Sequence, residues 1–329
     1  AASDVYKRQV YTFRAENRAA AQALKGLGAS LRMYMAKQDP AALRNARAYL
    51  SRLMEYDCHY VRKENLLFPF LERYGFTGPS KVMWGVHNDI RSQWKKLHEL
   101  LSAAEPLDAA LLEQAFIPLE TAVTEMFYKE EKILFPASLE RLTDADWGEI
   151  RAQEAAIGYF YVTPGNLWQP RGESQPQPAV LSTQFEATGE RQEMMLDTGT
   201  LTAQQINWML KSLPLDVTYV DEHDTVRYFS ETKDRIFQRT EAIIGRKVQN
   251  CHPPQSLDRV QQIIDDFRSG KRDAAEFWIQ MQGKFVYISY YALRDERGNY
   301  RGVLEVTQDI SRLRSLQGEK RLLDGAPQK

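Results

Sequence analysis

A motif that occurs twice in the first half of this 329-residue chain constrains its fold more than any other feature. The segment HYVRKENLLFPFLER (59–73) aligns with MFYKEEKILFPASLE (126–140), which superposes the two Leu-Phe-Pro triplets and pairs Glu64 with Glu131. Apolar residues recur at helical spacing in both copies. Two equivalent helices separated by one other helix run in the same direction in an up-down bundle. The repeat therefore predicts an all-α bundle.

Three turn signals divide residues 10–157 into helices. Asp39-Pro40, Gly75 to Pro79 and Glu105-Pro106 each interrupt the helical periodicity, and a proline disfavours helical backbone in the residue before it. A short fifth helix is predicted before Gly158. The predicted long helices span residues 10–37, 41–74, 80–104 and 108–142.

Polar residues occupy the predicted core side of these helices at one depth. At 100° per residue, Glu64, His87 and Glu131 fall in the centres of their apolar stripes, and Asn17 joins the stripe of the first helix. Buried carboxylates are costly unless they are neutralised. A bound iron, manganese or zinc ion would suit carboxylate and imidazole ligands, and pairing with Arg91 is the alternative. The residues alone leave both interpretations open.

The bulk composition excludes several classes of function. A formal net charge of −1 offers no basic surface for nucleic acid or anionic lipid. No apolar run approaches the ~20 residues of a membrane-spanning helix. Two cysteines, Cys58 and Cys251, indicate a reducing compartment. We therefore expect a cytoplasmic protein without nucleic-acid or membrane partners.

The composition changes after the helical half. Residues 158–200 are rich in Pro, Gly and Gln and predict a linker. Beyond it, LDVTYVDEHDTVRYFS predicts two strands around a turn, and AAEFWIQMQ, KFVYISYYALRD and YRGVLEVTQDI predict three more after short helices. This order predicts an α+β domain over residues 201–313, followed by a tail over residues 314–329. Residues 1–9 lack an initiator Met and are interpreted as an artefact or truncation scar.

At HYVRKENLLFP, WGVHNDIR and KEEKILFP the chain resembles the hemerythrin-like cation-binding (HHE) family. The order of these motifs and the strand-rich half resembles the bacterial domain-of-unknown-function 438 proteins, which combine a small N-terminal domain, a hemerythrin-like bundle and a PAS domain. The resemblance implies an up-down four-helix bundle over residues 10–157. It also implies a PAS domain with a five-stranded antiparallel sheet over residues 201–313.

The resemblance also implies a metal site, with non-haem iron as its cofactor. The implied metal ligands or near neighbours are His59, Glu64, His87, Glu130 and Glu131. Asn17 and Arg91 are placed beside them. Met126 and Arg91 stand where further histidines would be needed, which argues against a five-histidine di-iron site. A mononuclear site, a metal pair with fewer His ligands and a metal-free site all stay open.

The PAS resemblance raises the question of a second ligand. Phe277, Trp278, Tyr287 and His252 are candidates to line a PAS pocket, although alternating aromatic residues on strands are more often plain core or a partner-covered face. Flavin and haem are not favoured as ligands. Three residues separate Gly245-Arg246 from the pair Asn250-Cys251, unlike in light-oxygen-voltage PAS domains, and the segment is interpreted as a turn between helices.

The leading functional hypothesis is a signalling protein whose bundle senses iron, oxygen or redox state and whose PAS domain dimerises or binds a protein partner. An iron enzyme for oxygen or nitric oxide handling or iron–sulfur repair is the first alternative. A metal-free interaction scaffold is the second. No Ser or Cys lies in a recognisable catalytic motif, so hydrolytic chemistry is not expected.

Overall fold

The computed structural model describes residues 3–162, 193–233 and 235–319, with side chains from Gln9 onward. The chain divides into two compact units. The first unit contains Ala1–Thr188 and Thr240–Asp258, and the second contains Gly189–Arg239 and Arg259–Lys329. Most of the predicted linker and the end of the predicted tail lie outside the described residues.

The first unit is the predicted helical bundle. Capping side chains begin its helices as the sequence suggests: Asp39 accepts the Ala41 N–H, and Thr143 forms a capping box with Asp146. The helices are α1 (Ser3–Lys37), α2 (Pro40–Met54), α3 (Asp57–Arg62), α4 (Phe68–Arg73), α5 (Gly78–Leu101), α6 (Ala109–Lys129), α7 (Phe135–Arg141) and α8 (Asp144–Ile157). Helix α1 begins inside the nine residues that the sequence analysis excluded from the fold.

Two π-helical turns interrupt the second and fourth predicted helices at the repeated motif. The segment π1 (Lys63–Leu67) joins α3 to α4, and π2 (Glu130–Leu134) joins α6 to α7. Each ends immediately before a Phe-Pro pair. A π turn holds one residue more than an α turn, so helical angles extrapolated across it are wrong.

The inward-facing residue of the fourth predicted helix differs from the prediction. Glu130 is wholly buried, whereas the Glu131 side chain is 34% exposed. The prediction that Glu131 is the inward-facing residue is therefore wrong. His59, which the family resemblance implies as a metal ligand, is wholly buried.

The second unit contains the predicted five-stranded antiparallel sheet, with strand order β4-β3-β7-β6-β5. A hairpin of two further strands precedes it, at the end of the range predicted as linker. The strands are β1 (Glu193–Leu196), β2 (Gly199–Thr202), β3 (Asp216–Asp221), β4 (Val226–Phe229), β5 (Ala274–Met281), β6 (Lys284–Arg294) and β7 (Tyr300–Asp309). The remaining helices are α9 (Ala203–Ser212), α10 (Pro254–Arg268) and α11 (Ser311–Arg314).

Residues 240–258, which we call the arm, lie between β4 and β5 in sequence but belong to the first unit. The arm contains two 3₁₀ turns, Glu241–Ile243 and Val248–Cys251, and the start of α10. Ala242 is buried within the apolar core of the bundle. This placement follows from long-range packing and was not predicted from the sequence.

Candidate functional site

A cluster of polar side chains lies inside the bundle, and each member is at most 5% exposed. We call this cluster the buried polar layer. Its members come from α1, α3, α5 and α8 and from the two π turns. They are Glu16, Asn17, His59, Arg62, Lys63, Glu64, His87, Glu130 and Glu154.

Lys63 lies at the centre of the layer and is wholly buried. Its ammonium group donates to Glu130 Oε1, and its Nζ lies 2.9 Å from Nε2 of His87. Burial lowers the pKa of Lys63, while the Glu130 carboxylate opposes that shift. The desolvation of Glu130 is outweighed by Lys63 and His59, which hold the pKa of Glu130 well below its usual range. The two groups therefore form a buried ion pair.

His87 connects Lys63 to Glu64. Its Nδ1 lies 2.7 Å from Oε1 of Glu64. Burial, together with the nearby Lys63 and Arg91 charges, lowers the pKa of His87 well below its usual value, so the ring is neutral near pH 7. A neutral ring that donates through Nδ1 to Glu64 and accepts through Nε2 from Lys63 satisfies both contacts.

Arg91 neutralises Glu64 with two hydrogen bonds of 2.9 and 3.0 Å. A third donor, Arg91 Nε, lies 2.6 Å from Asp57. The pairing of Arg91 with Glu64 agrees with the arginine-paired alternative that the sequence left open. The pairing of Arg91 with Glu131, which that alternative also requires, is wrong, because Glu131 pairs with Arg14 at 2.7 Å, at the edge of the bundle.

His59 lies between two carboxylates. Its Nδ1 is 2.8 Å from Glu16, and its Nε2 is 3.1 Å from Glu130. Asn17 donates to the same Glu130 oxygen at 2.8 Å and accepts a hydrogen bond from the Tyr56 hydroxyl. Both His59 nitrogens therefore face carboxylate oxygens.

Arg62 lies between two further carboxylates of the layer, those of Glu16 and Glu154. It donates to Glu16, whose second oxygen accepts the Phe160 N–H at 2.8 Å. Glu154 lies 3.8 Å from Arg62, a longer and weaker pairing. Burial raises the pKa of Glu154 to about 7. Burial also raises the pKa of Glu64, so the layer contains two carboxylates that are harder to ionise than in water.

The predicted site residues are largely brought together. His59, Glu64, His87 and Glu130 join the layer, with Asn17 beside Glu130. Glu131 is separate from it. The sequence analysis missed Glu16, Arg62, Lys63 and Glu154. The repeat carried a signal for Lys63, because it aligns this lysine with Glu130, the residue that it contacts.

Comparisons with known proteins identify both halves of the chain. Residues 8–138 match the hemerythrin HHE cation binding domain family, and residues 206–311 match a PAS domain family. The chain carries a hemerythrin HHE domain followed by a PAS domain. The predicted bundle and the predicted PAS sheet are confirmed, while the closer resemblance to the domain-of-unknown-function 438 proteins stays a prediction. No curated protein matches the chain.

Solved structures similar to this chain each cover a part of it. A C-terminal domain from Streptococcus mutans is 37% identical, with 39% of this chain and 98% of that chain covered and a TM-score of 0.37. A sensory box sensor histidine kinase from Vibrio cholerae is 14% identical over 32% and 87% of the two chains, with a TM-score of 0.25. The PAS domain of Bordetella pertussis BvgS is 14% identical over 33% and 85%, with a TM-score of 0.28. The assignment of the PAS domain therefore rests on the family match and on the sheet itself.

The HHE cation binding family implies a bound metal ion, which requires ligands of suitable type with free lone pairs. Histidine nitrogens and carboxylate oxygens suit non-haem iron. A metal ligand must offer a free lone pair, but those of His87, Glu64 and Glu130 are engaged by Lys63 and Arg91. Within the part of the chain that the structure describes, no three His, Cys, Asp or Glu side chains are arranged to hold a metal ion. The residues as placed do not fit a metal, and ligation by the predicted residues stays a prediction.

The candidate pocket residues of the PAS domain lie on two strands of its sheet and on the arm. Phe277 and Trp278 of β5 are exposed, and Trp278 pairs across the strands with Tyr287 of β6. His252 belongs to the first unit, where its Nδ1 donates to the Val248 carbonyl at 2.9 Å. The PAS pocket stays a hypothesis, and the sequence does not predict a ligand for it. Among the described residues, no helix is long and apolar enough to cross a membrane.

Proposed function

We propose that this chain is a cytoplasmic signalling protein in which the arm, residues 240–258, transmits changes in the HHE domain to the PAS domain. The carrying observation is the double membership of the arm. In sequence it falls within the PAS match, and in space it packs in the first unit with the bundle. A shift of the arm would reach β4 through residues 230–239 and β5 through the rest of α10, which connect the arm to these strands along the chain.

Arg246 supports this proposal. It is buried, and its guanidinium donates two hydrogen bonds of 2.7 Å to the two carboxylate oxygens of Glu72. Such a paired geometry is specific as well as strong. The same guanidinium lies 3.4 Å from the Glu64 carbonyl and 5.6 Å from the centre of the Trp84 ring.

The contact of the arm with π1 gives a physical reason for coupling to the buried polar layer. Pro69 has no N–H to donate to the carbonyls one turn before it. Two of those carbonyls receive donors from the arm instead: the Thr240 hydroxyl lies 2.7 Å from the Asn65 carbonyl, and Arg246 reaches that of Glu64. The backbone that carries Lys63 and Glu64 is therefore held partly by the arm.

The buried polar layer does not identify the signal that the HHE domain senses. Sensing of iron, oxygen or redox state stays a prediction of the family resemblance, and the donor geometry of the HHE domain does not support a step through iron. The proposed partner is a second copy of the chain or another protein bound by the PAS domain, because PAS domains commonly mediate such interactions.

Hydrogen–deuterium exchange tests the transmission path. The buried polar layer is perturbed by Glu130→Gln, which removes the partner of Lys63, and exchange is followed in π1, the arm and the PAS sheet. We expect faster exchange in all three when Arg246 is intact. In an Arg246→Met background, the PAS sheet should no longer respond to Glu130→Gln.

Arg259→Met is the matched control, because this arginine is exposed on α10. It should leave the response of the sheet unchanged. A PAS sheet whose exchange ignores Glu130→Gln even with Arg246 present would contradict the proposal.

A further inference from the structure

The ammonium group of Lys63 stands among the groups that a cation-binding bundle would present to its ion. It is wholly buried, touches Glu130, lies 2.9 Å from His87 Nε2 and sits 4.6 Å from the centre of the Tyr60 ring. We propose that Lys63 serves as a built-in cation, so that this HHE domain holds its ligand-like residues together without a metal. This inference does not depend on the arm.

The internal repeat gives independent support. Lys63 and Glu130 occupy equivalent positions in the two copies of the motif, and each is the first residue of a π turn. The pseudo-symmetry of the bundle therefore brings these two positions face to face. A lysine at one and a glutamate at the other make an ion pair, whereas two carboxylates there would repel each other unless a cation lay between them.

The other carboxylates of the layer also have organic cations as partners. Arg91 holds both oxygens of Glu64, and Arg62 donates to Glu16. Unpaired charge is expensive at this depth. A metal entering here would have to displace Lys63 and leave its ammonium without a partner, a cost that opposes binding.

The proposal predicts that removing the ammonium creates a metal site. In Lys63→Ala, Glu130 and His87 lose their shared donor and face a cavity, and the Glu130 carboxylate keeps only His59 and Asn17 as partners. Co²⁺ and Zn²⁺ are suitable probes because both accept imidazole and carboxylate ligands. Binding to the full chain is measured by calorimetry, and the Co²⁺ site by its visible d–d absorption.

We expect Lys63→Ala to bind about one equivalent of Co²⁺ at least about 100-fold more tightly than the wild-type chain, because no ammonium opposes the ion. Adding His87→Ala or Glu130→Ala to this variant should abolish the binding. Lys132→Ala removes an exposed lysine from π2 and is the matched control. It should behave as the wild type.

Three results would overturn the proposal. The first is stoichiometric metal in the wild-type chain that is lost in His87→Ala. The second is a folded Lys63→Ala variant, by circular dichroism, that binds no more Co²⁺ than the wild type. The third applies if Lys63→Ala fails to fold, and it is measured on the wild-type chain. A wild-type melting temperature that shifts with a chelator or with added Co²⁺ would contradict a built-in cation, which predicts no shift with either.

Discussion

At the scale of single residues, the buried polar layer depends on charges that compensate one another. The pair of Lys63 and Glu130 is wholly buried, so each charge is tolerated only because the other is present. Removing one partner leaves an isolated charge in the core. Removing both leaves none.

Lys63→Met should therefore destabilise the HHE domain by about 3–5 kcal/mol, as is typical when one partner of a buried pair is lost. The double variant Lys63→Met/Glu130→Gln should be less destabilised than Lys63→Met alone, because no buried charge is left without a partner. Urea unfolding followed by circular dichroism measures both. Additive losses from the two substitutions would show that the groups do not act as a pair.

Glu154 makes stability depend on pH. Burial raises its pKa from 4.5 to about 7 on folding. A carboxyl group with a raised folded-state pKa stabilises the protein fully below pH 4.5, and this contribution is lost as pH rises through 7. Glu154→Gln cannot ionise. Its stability relative to wild type should therefore increase between pH 5 and pH 8 by roughly 2–3 kcal/mol.

Unfolding free energies at several pH values check this. Glu149→Gln lies on the same helix, is partly exposed and pairs with Arg73 at 3.5 Å. It makes the same Glu-to-Gln change outside the buried polar layer and serves as the control. A pH-independent difference between Glu154→Gln and the wild type would contradict a raised pKa of Glu154.

At the scale of elements, the sequence predicts the helices and strands well because they follow local rules. Capping residues, prolines and the change of periodicity after the bundle give their order and approximate bounds. The two π turns escape such rules. A fixed 100° per residue cannot anticipate an inserted residue, so Glu131 was assigned the inward position that Glu130 holds.

In the PAS sheet, strands β3 and β7 approach each other closely at Gly302. Gly302 in β7 has φ +128, and a Cβ there would lie 2.1 Å from the Val220 carbonyl oxygen of β3. Gly302→Ala should therefore destabilise the PAS domain by at least about 3 kcal/mol, because backbone atoms must shift. Gly298 has φ +80 but open space around it.

Gly298→Ala is thus the control for backbone strain alone and should cost about 1 kcal/mol. Thermal unfolding of the full chain, followed by a PAS-specific probe such as exchange in β7, separates the two. Equal losses from both substitutions would show that the close approach of β3 to β7 is unimportant.

At the scale of the whole molecule, the sequence predicts two domains of the correct families. It does not predict that the arm packs with the bundle. The residues of the arm read locally as a turn between helices, and only packing of distant segments places Arg246 against Glu72. The metal hypothesis met the same limit. Its ligand types converge, but they pair with three cations, of which the sequence offered Arg91 but not Arg62 or Lys63.

If Lys63 is a built-in cation, an ammonium group and not a metal neutralises the centre of the HHE domain. Anomalous diffraction at the iron absorption edge, from crystals of the full chain grown anaerobically with Fe²⁺, tests it most directly. We expect Lys63 Nζ in contact with Glu130 and His87, with no anomalous peak inside the bundle. An anomalous peak between His59, His87 and Glu130, with the Lys63 side chain displaced, would contradict it.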